Sequence, residues 1–371
     1  MVTLLLLVKT HAAVFWGPGR PFTVEEIDLA DPGPLDVVVR MAAVGICGTD
    51  LHSIKGEWSR PTPIVLGHEG AGVIEEVGAD VTRVKPGDEV VLSWAPSCGE
   101  CADCRRGRPA ACVPLHRAIG GGTLVDGTTG MTLDGEVLYR GTATGAMSER
   151  LVVTERVALP TGGGLPLEEA ALLGCAALTG VGAALFAARV EPGSSVIVIG
   201  AGWVGQFVVQ GARIAGAETI VSVDPLEARL EQARRLGATH AATPESLKEL
   251  MADVATDGCD YALDAVGNAE TTALAMRWTR SGGTCVIVGL PPTGVRLDID
   301  PAEFNRREKF LTGTMYGSED PAVALPILLD HVRAGRLQLR ELLGRTYPLE
   351  QVNDAFAEAL SGSPGRVLVR P

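Results

Sequence analysis

Aromatic residues are scarce in this chain: Phe, Trp and Tyr make up only 4% of 371 residues, although 46% are apolar. With 46 glycines, that balance fits a Val/Ala/Gly-rich α/β protein. Long apolar runs are also missing. None approaches the ~20 residues needed to cross a bilayer. The start, Met1 to Lys9, has a short apolar stretch with no basic segment before it and no obvious cleavage site, so no secretory signal is expected. There is no excess of base either. A formal net charge of −13 argues against nucleic acid or an anionic membrane as the main partner. What remains is a cytoplasmic protein, and 371 residues predict two domains.

The informative residues are cysteines. Cys98, Cys101, Cys104 and Cys112 fall in one fifteen-residue window. Four thiolates from a single loop suit a closed tetrahedral zinc site. Two disulfides are the alternative, but intracellular thiols stay reduced and nothing signals secretion. A second set is dispersed: Cys47, His68 and Cys175. Three ligands from distant positions suit a zinc whose fourth position is open. Cys175, between Gly174 and Ala176, taken alone reads more readily as packing than as a ligand, so its assignment depends on the resemblance described below. Cys259 and Cys285 sit beside apolar strand-like runs and read as core.

The first third of the chain reads as β-rich. Val37–Val44 and Gly70–Gly78 are strand-like, and Pro86-Gly-Asp88 is a turn feeding a strand that ends at Leu92. Gly120 to Gly145 is rich in Gly, Thr and Asp and predicts a surface excursion containing a hairpin. From Cys175 the character changes. Ala176 to Arg189 reads as a helix. Ser195–Gly200 is a continuous apolar run, as expected of a strand buried on both faces. Thr219–Asp224, Tyr261–Asp264 and Thr284–Gly289 are further strands, with helices at Gln206–Ala215 and Leu226–Leu236. Repeated β-α-β predicts a parallel sheet covered by helices.

Between the first of these strands and its helix lies Gly200-Ala-Gly202-Trp203-Val204-Gly205. A lone G-x-G-x-x-G is weak evidence. Placed between strand and helix, with Asp224 ending the next strand, it is a dinucleotide fingerprint. Gly200 permits the tight turn, Gly202 lets a pyrophosphate reach the backbone, and Gly205 lets helix and strand pack closely. The helix N-terminus offers free N–H groups to phosphate. Asp224 would accept hydrogen bonds from the adenosine ribose and repel a 2′-phosphate, which favours NAD over NADP.

Together these stretches resemble the zinc-dependent alcohol dehydrogenases of the medium-chain dehydrogenase/reductase superfamily. The resemblance covers nearly the whole chain. It is carried by Gly45-Ile-Cys47-Gly-Thr49-Asp50-Leu-His52, by Gly67-His68-Glu69-Gly-Ala-Gly72-Val, by the four-cysteine loop, by Gly174-Cys175-Ala-Ala-Leu-Thr179-Gly and by the nucleotide fingerprint. It implies a GroES-like β-rich catalytic domain, residues 1–176 and 318–371, with the structural-zinc lobe at about 95–115. A Rossmann NAD-binding domain with a doubly wound parallel sheet, residues 177–317, is inserted between these parts.

Residue by residue, the resemblance implies two zinc ions. Cys98, Cys101, Cys104 and Cys112 would hold the structural one. Cys47, His68 and Cys175 would hold the catalytic one, with Glu69 behind it as an occasional ligand and Asp50 orienting His68. Thr49 would receive the alcohol proton and His52 would pass it to solvent. Thr179 would pack on the nicotinamide, and groups around Val288, Thr314 and Tyr316 would hold its carboxamide. Arg229 would sit near the adenosine ribose and Arg366 on the pyrophosphate. Gly48 stands where some members carry a basic residue, so one phosphate contact is missing. Trp58 and Trp94 match positions lining the substrate channel.

The expected activity is reversible hydride transfer between NAD and a small alcohol or aldehyde. The enzymatic alternatives are a thiol-adduct formaldehyde dehydrogenase and a relative that keeps NAD bound between turnovers. A non-enzymatic nucleotide-binding relative would have lost the Cys/His/Cys set or Thr49, and both are present. The excursion from Cys112 to Met147 resembles the dimeric branch. A homodimer pairing through a last strand near Thr312 to Tyr316 is expected.

Overall fold

The computed structural model describes residues 8–371. The chain divides into two compact units. One contains the chain through Cys175 with residues 320–326 and 339–371, and the other contains residues 176–319 and 327–338.

The first unit is β-rich. Its strands are β1 (Val8–Phe15), β2 (Thr23–Leu29), β3 (Asp36–Gly45), β4 (Ile64–Val65), β5 (Glu69–Val77), β6 (Glu89–Leu92), β7 (Met131–Leu133), β8 (Glu136–Val137), β9 (Tyr139–Arg140), β10 (Arg150–Thr154) and β11 (Ala158–Pro160). The second unit adds β12 (Ser195–Ile199), β13 (Thr219–Val223), β14 (His240–Ala242), β15 (Cys259–Asp264), β16 (Thr279–Ile287) and β17 (Phe310–Gly313). The C-terminal segment returns to the first unit with β18 (Leu343–Pro348) and β19 (Arg366–Arg370).

In the first unit, one sheet has the order β8-β7-β2-β1-β4-β9. The other runs β11-β6-β5-β3-β19-β18, with β10 also paired to β3. The antiparallel β3–β5 pair is unusually close. A Cβ on Gly72 would lie 2.3 Å from the Arg40 carbonyl, and one on Gly70 would lie 2.6 Å from Met41 Cε. The glycines read in the sequence are therefore crossing points of backbone. The excursion after the cysteine loop contains a helix, Val113–Gly121, ended by Gly122 at φ +66°. The expected hairpin follows as β7–β8, turning through Asp134 and Gly135, both at positive φ.

The second unit is one parallel sheet, β14-β13-β12-β15-β16-β17. Along β12, Val196 and Val198 enter one apolar core and Ile197 and Ile199 the other. This alternation is why the strand reads as a continuous apolar run. Cys259 and Cys285 are fully buried in β15 and β16, and burial pushes both thiols up to about 12. The order reverses at β12, whose neighbours β13 and β15 leave in opposite directions. Such a point is where open α/β sheets bind ligands.

Two readings need correction. The predicted helix Ala176–Arg189 is α-helical only over Ala176–Gly182. It widens to a π-helix over Ala183–Ala188 and stops at Arg189, φ +54°. The last strand is Phe310–Gly313 rather than a segment near Thr312 to Tyr316; Tyr316 lies outside it at φ +55°. No single helix among the described residues is long and apolar enough to cross a membrane.

Candidate metal centres and dinucleotide site

The four-cysteine loop closes on itself. The sulfurs of Cys98, Cys101, Cys104 and Cys112 all lie within 4.8 Å of one another. Cys98 and Cys104 are 3.8 Å apart, and Cys101 and Cys104 3.5 Å. Zn–S bonds of ~2.3 Å in a tetrahedron put sulfurs about 3.8 Å apart, whereas a disulfide needs about 2.05 Å. All eight cysteines are free thiols. Backbone N–H groups of Glu100 and Cys101 donate to Cys98 Sγ, and that of Cys104 donates to Cys101 Sγ. Hydrogen bonds from Cys104 pull the Cys101 thiol down to about 6, while burial pushes Cys104 up to about 12. Thiols this crowded resist ionising together, and a divalent cation at their centre is what permits it. The donor set fits zinc.

The dispersed set converges because of the sheet register. Gly45, the last residue of β3, pairs with Glu69, the first of β5. Cys47 follows one strand end and His68 precedes the other, so the two meet. Cys175 arrives from the turn Leu172–Gly174. A Cβ on Gly174 would sit 3.2 Å from the Gly70 amide nitrogen and 3.0 Å from the Leu92 carbonyl, so this turn rests directly on β5 and β6. Ligand atoms of Cys47, His68 and Cys175 lie within 4.8 Å of one another and all three residues are buried. The two sulfurs are 3.9 Å apart.

Asp50 organises this cluster. Its Oδ2 accepts the Cys47 N–H at 3.0 Å and its Oδ1 the Gly67 N–H at 3.3 Å. The same Oδ1 lies 3.6 Å from His68 Nδ1, which leaves Nε2 as the nitrogen for a metal. Burial alone would lower the His68 pKa, but the Asp50 and Cys47 charges outweigh it and hold the imidazole up at about 10. A hydrogen bond from Cys175 holds Cys47 well below the ordinary thiol value. The same contact, with burial, pushes Cys175 well above it.

Thr49 lies in the first turn of the helix Gly48–Ile54, its Oγ1 3.7 Å from Cys47 Sγ. His52 is three residues along, on the same face. Its Nδ1 pairs with Glu57, and its ring stacks on Trp58 at 4.6 Å between centroids. Trp94 meets His68 edge-on at 6.0 Å. Both tryptophans therefore touch members of the site. Gly48 has open space where a side chain would go.

In the second unit the fingerprint has the geometry its glycines predict. Gly200 is at φ +91°, and a Cβ on Gly205 would lie 1.8 Å from the Gly200 carbonyl oxygen. Gly202 caps the helix Trp203–Ala215, and a Cβ there would meet nothing within 4 Å. Trp203 and Val204 open the first turn and are half-buried, Val204 packing against the core. The open space over Gly202 at this helix N-terminus fits a pyrophosphate. Asp224 directly follows β13. Its Oδ2 accepts the Ala201 N–H at 2.9 Å and its Oδ1 that of Leu226 at 3.0 Å, while Arg229 approaches Oδ2 at 3.5 Å.

Farther along, Thr314 donates its N–H to the Ile287 carbonyl, beside Val288. A Cβ on Gly317 would strike the Leu178 carbonyl at 2.5 Å. Thr179, Val288, Thr314 and Tyr316 thus share one corner of the second unit.

Residues 33–163 match the alcohol dehydrogenase GroES-like domain and residues 204–330 the zinc-binding dehydrogenase domain. A Mycobacterium tuberculosis relative, provisionally named alcohol dehydrogenase D, is 39% identical over 96% of this chain and 98% of its own length. The chain belongs to the zinc-type medium-chain dehydrogenase/reductase superfamily. Among solved members, the benzyl alcohol dehydrogenase of Acinetobacter calcoaceticus superposes with a TM-score of 0.92 at 29% identity, covering 98% of this chain and 99% of the other. A Sinorhizobium meliloti 1021 member bound to NADP superposes at 0.81 with 26% identity, covering 98% and 100%. As a member of this superfamily the chain is an oxidoreductase of the alcohol dehydrogenase family, with a GroES-like domain and a Rossmann-like domain.

Two residues beside the Cys47–His68–Cys175 cluster form a buried ion pair. Arg366 is 1% exposed and Glu69 0%. Arg366 Nε donates to Glu69 Oε1 at 2.6 Å, and Nη2 donates to Oε2. The guanidinium is a buried partner of Glu69 at the start of β19. Glu69 is adjacent in sequence to His68 but is not one of the Cys47–His68–Cys175 ligand group. Gly45 makes room for the pair, since a Cβ there would lie 2.2 Å from Glu69 Oε1. Sequence reasoning missed Glu57, whose only signal is an acid five residues after His52. It also missed Gln206, a polar residue in the apolar helix that follows the fingerprint.

Proposed function

We propose that this chain is a zinc-dependent alcohol dehydrogenase that transfers hydride reversibly between a small alcohol and NAD. The observation that carries the reading is the convergence of Cys47, His68 and Cys175. Three buried N/S ligands, with no fourth grouped with them among the described residues, are the donor set of an open zinc site, and four thiolates elsewhere are that of a closed one. Bound zinc supplies Lewis acidity toward an alcohol oxygen, and NAD supplies the hydride acceptor. The chain's own residues do the rest. Asp50 fixes the tautomer and orientation of His68. Thr49, beside Cys47, takes the alcohol proton, and His52, braced by Glu57 and Trp58, delivers it to solvent. The flat indoles of Trp58 and Trp94 beside these groups favour a planar aromatic primary alcohol, as does the benzyl alcohol named for the Acinetobacter relative. Asp224 favours NAD by receiving the ribose hydroxyls. A cytoplasmic homodimer completes the proposal, with the edge strand β17, where Phe310 is 61% exposed, pairing across a two-fold axis.

The test combines metal analysis with a substrate panel. Purified protein should contain about two zinc ions per chain and should reduce NAD with benzyl alcohol faster than with ethanol. Full activity in zinc-free protein would remove the proposal. A reaction dependent on a small thiol plus formaldehyde, or coenzyme that never exchanges, would redirect it to a different member activity.

A further inference from the structure

Gln206 is the fourth residue of the helix Trp203–Ala215, and its side chain is buried to 1% exposure. Its Nε2 donates to two backbone carbonyls, those of Ala201 and Arg229, each at 2.9 Å. Both neighbours are acceptors, so the amide nitrogen must face them. Its Oε1 is buried with no hydrogen-bond partner among the described residues. A buried polar atom left unpaired is unfavourable, so packing alone does not explain glutamine here; what the side chain gains is its pair of bonds to the two carbonyls.

The contacts close a ring. Ala201, inside the fingerprint, donates its N–H to Asp224 Oδ2 at 2.9 Å, and its carbonyl accepts from Gln206 Nε2. Gln206 also holds the backbone of Arg229, whose guanidinium returns to Asp224 Oδ2 at 3.5 Å. A carboxylate offers about four acceptor positions. Ala201, Leu226 and Arg229 use three of them, and Arg229 is the longest and loosest of the three contacts. The position of the Arg229 backbone therefore decides how much of Asp224 is left for a ribose hydroxyl. It also decides whether the guanidinium is tied to Asp224 or free to meet a 2′-phosphate.

We propose that Gln206 is a positioning residue for coenzyme selection: by clamping the Arg229 backbone to the fingerprint turn, it keeps Asp224 and Arg229 in the arrangement that admits an unphosphorylated adenosine ribose. The inference rests on the dinucleotide reading of this site. It goes beyond the assignment of Asp224 because it places part of the selection on a side chain that need not touch the coenzyme.

Calorimetric titration of the full-length protein with ADP-ribose and with its 2′-phosphorylated form measures the selection without any turnover. The wild type binds ADP-ribose more tightly. In Gln206→Met, which keeps the length and removes the donor, the preference narrows by roughly tenfold, the scale of one lost hydrogen bond. In an Arg229→Ala background the same substitution changes the ratio by less than about twofold, because the group it positions is gone. General loosening of the helix would weaken both ligands in parallel, and an unchanged ratio in Gln206→Met overturns the inference. If the methionine variant does not fold, Gln206→Asn, too short to reach both carbonyls, is read instead. It should shift the ratio in the same direction, and an unchanged ratio there also overturns the inference. Wild-type protein that binds neither ligand removes the dinucleotide reading itself, and the inference with it.

Discussion

Asp224 concentrates the coenzyme question in one carboxylate. It is 3% exposed and already accepts two backbone N–H groups, so its charge is fixed in place before any ligand arrives. Asp224→Gly should lower the NAD-to-NADP ratio of kcat/KM by roughly 10²-fold, the effect of a few kcal/mol of short-range repulsion in a partly dry site. A wild type that prefers NADP would contradict the assignment. At the proton path, Thr49→Ala should depress turnover by about 10²–10⁴-fold. His52→Gln should matter more near neutral pH than at high pH, where bulk base replaces it; steady-state profiles of both variants check this. The buried Glu69–Arg366 pair makes a stability prediction. Arg366→Leu leaves a carboxylate without its cation and should cost about 3–5 kcal/mol, while replacing both partners by leucine should cost less. Denaturant melts of the single and double variants measure the difference.

At the scale of elements, the cysteine loop is held by its sulfurs rather than by a core. Three of the four cysteines are only half-buried, and the helical turn between them, Ala102–Arg105, has no buried residue. Cys104→Ser should therefore lower the melting temperature and remove one zinc equivalent; unchanged thermal stability would argue against a structural zinc. This loop was fully legible in the sequence because its ligands are adjacent and their spacing is their geometry. The fingerprint was legible for the same reason, each glycine answering a local contact. What was not legible depends on register or long-range pairing. Arg366 and Glu69 are 297 positions apart, and nothing local reveals that β19 pairs with β3 so as to bring them together. The π-helical end at Ala183–Ala188 has no signature in an alanine-rich run. Gln206 is one polar residue in an apolar helix, and its role depends on the carbonyls of Ala201 and Arg229, which no local pattern places beside it. The edge strand was read slightly late because Thr312 to Tyr316 lies among turn residues, whereas pairing with β16 ends at Gly313.

Across the whole molecule, the proposal divides the chemistry between the two units: the candidate metal ligands and proposed proton path in one, the dinucleotide fingerprint in the other. The exposed edge of β17 is a liability for a monomer. Light scattering should give twice the chain mass, and Phe310→Asp should shift it toward monomer. The central claim, however, is that Cys47, His68 and Cys175 hold the metal at which an alcohol is oxidised. The most direct measurement is the rate of NADH formation from benzyl alcohol by wild type and by Cys47→Ser, at matched folded concentrations. The account predicts that the wild type turns over, and that Cys47→Ser keeps its fold and its four-thiolate zinc but loses turnover. Wild-type turnover in Cys47→Ser would contradict it.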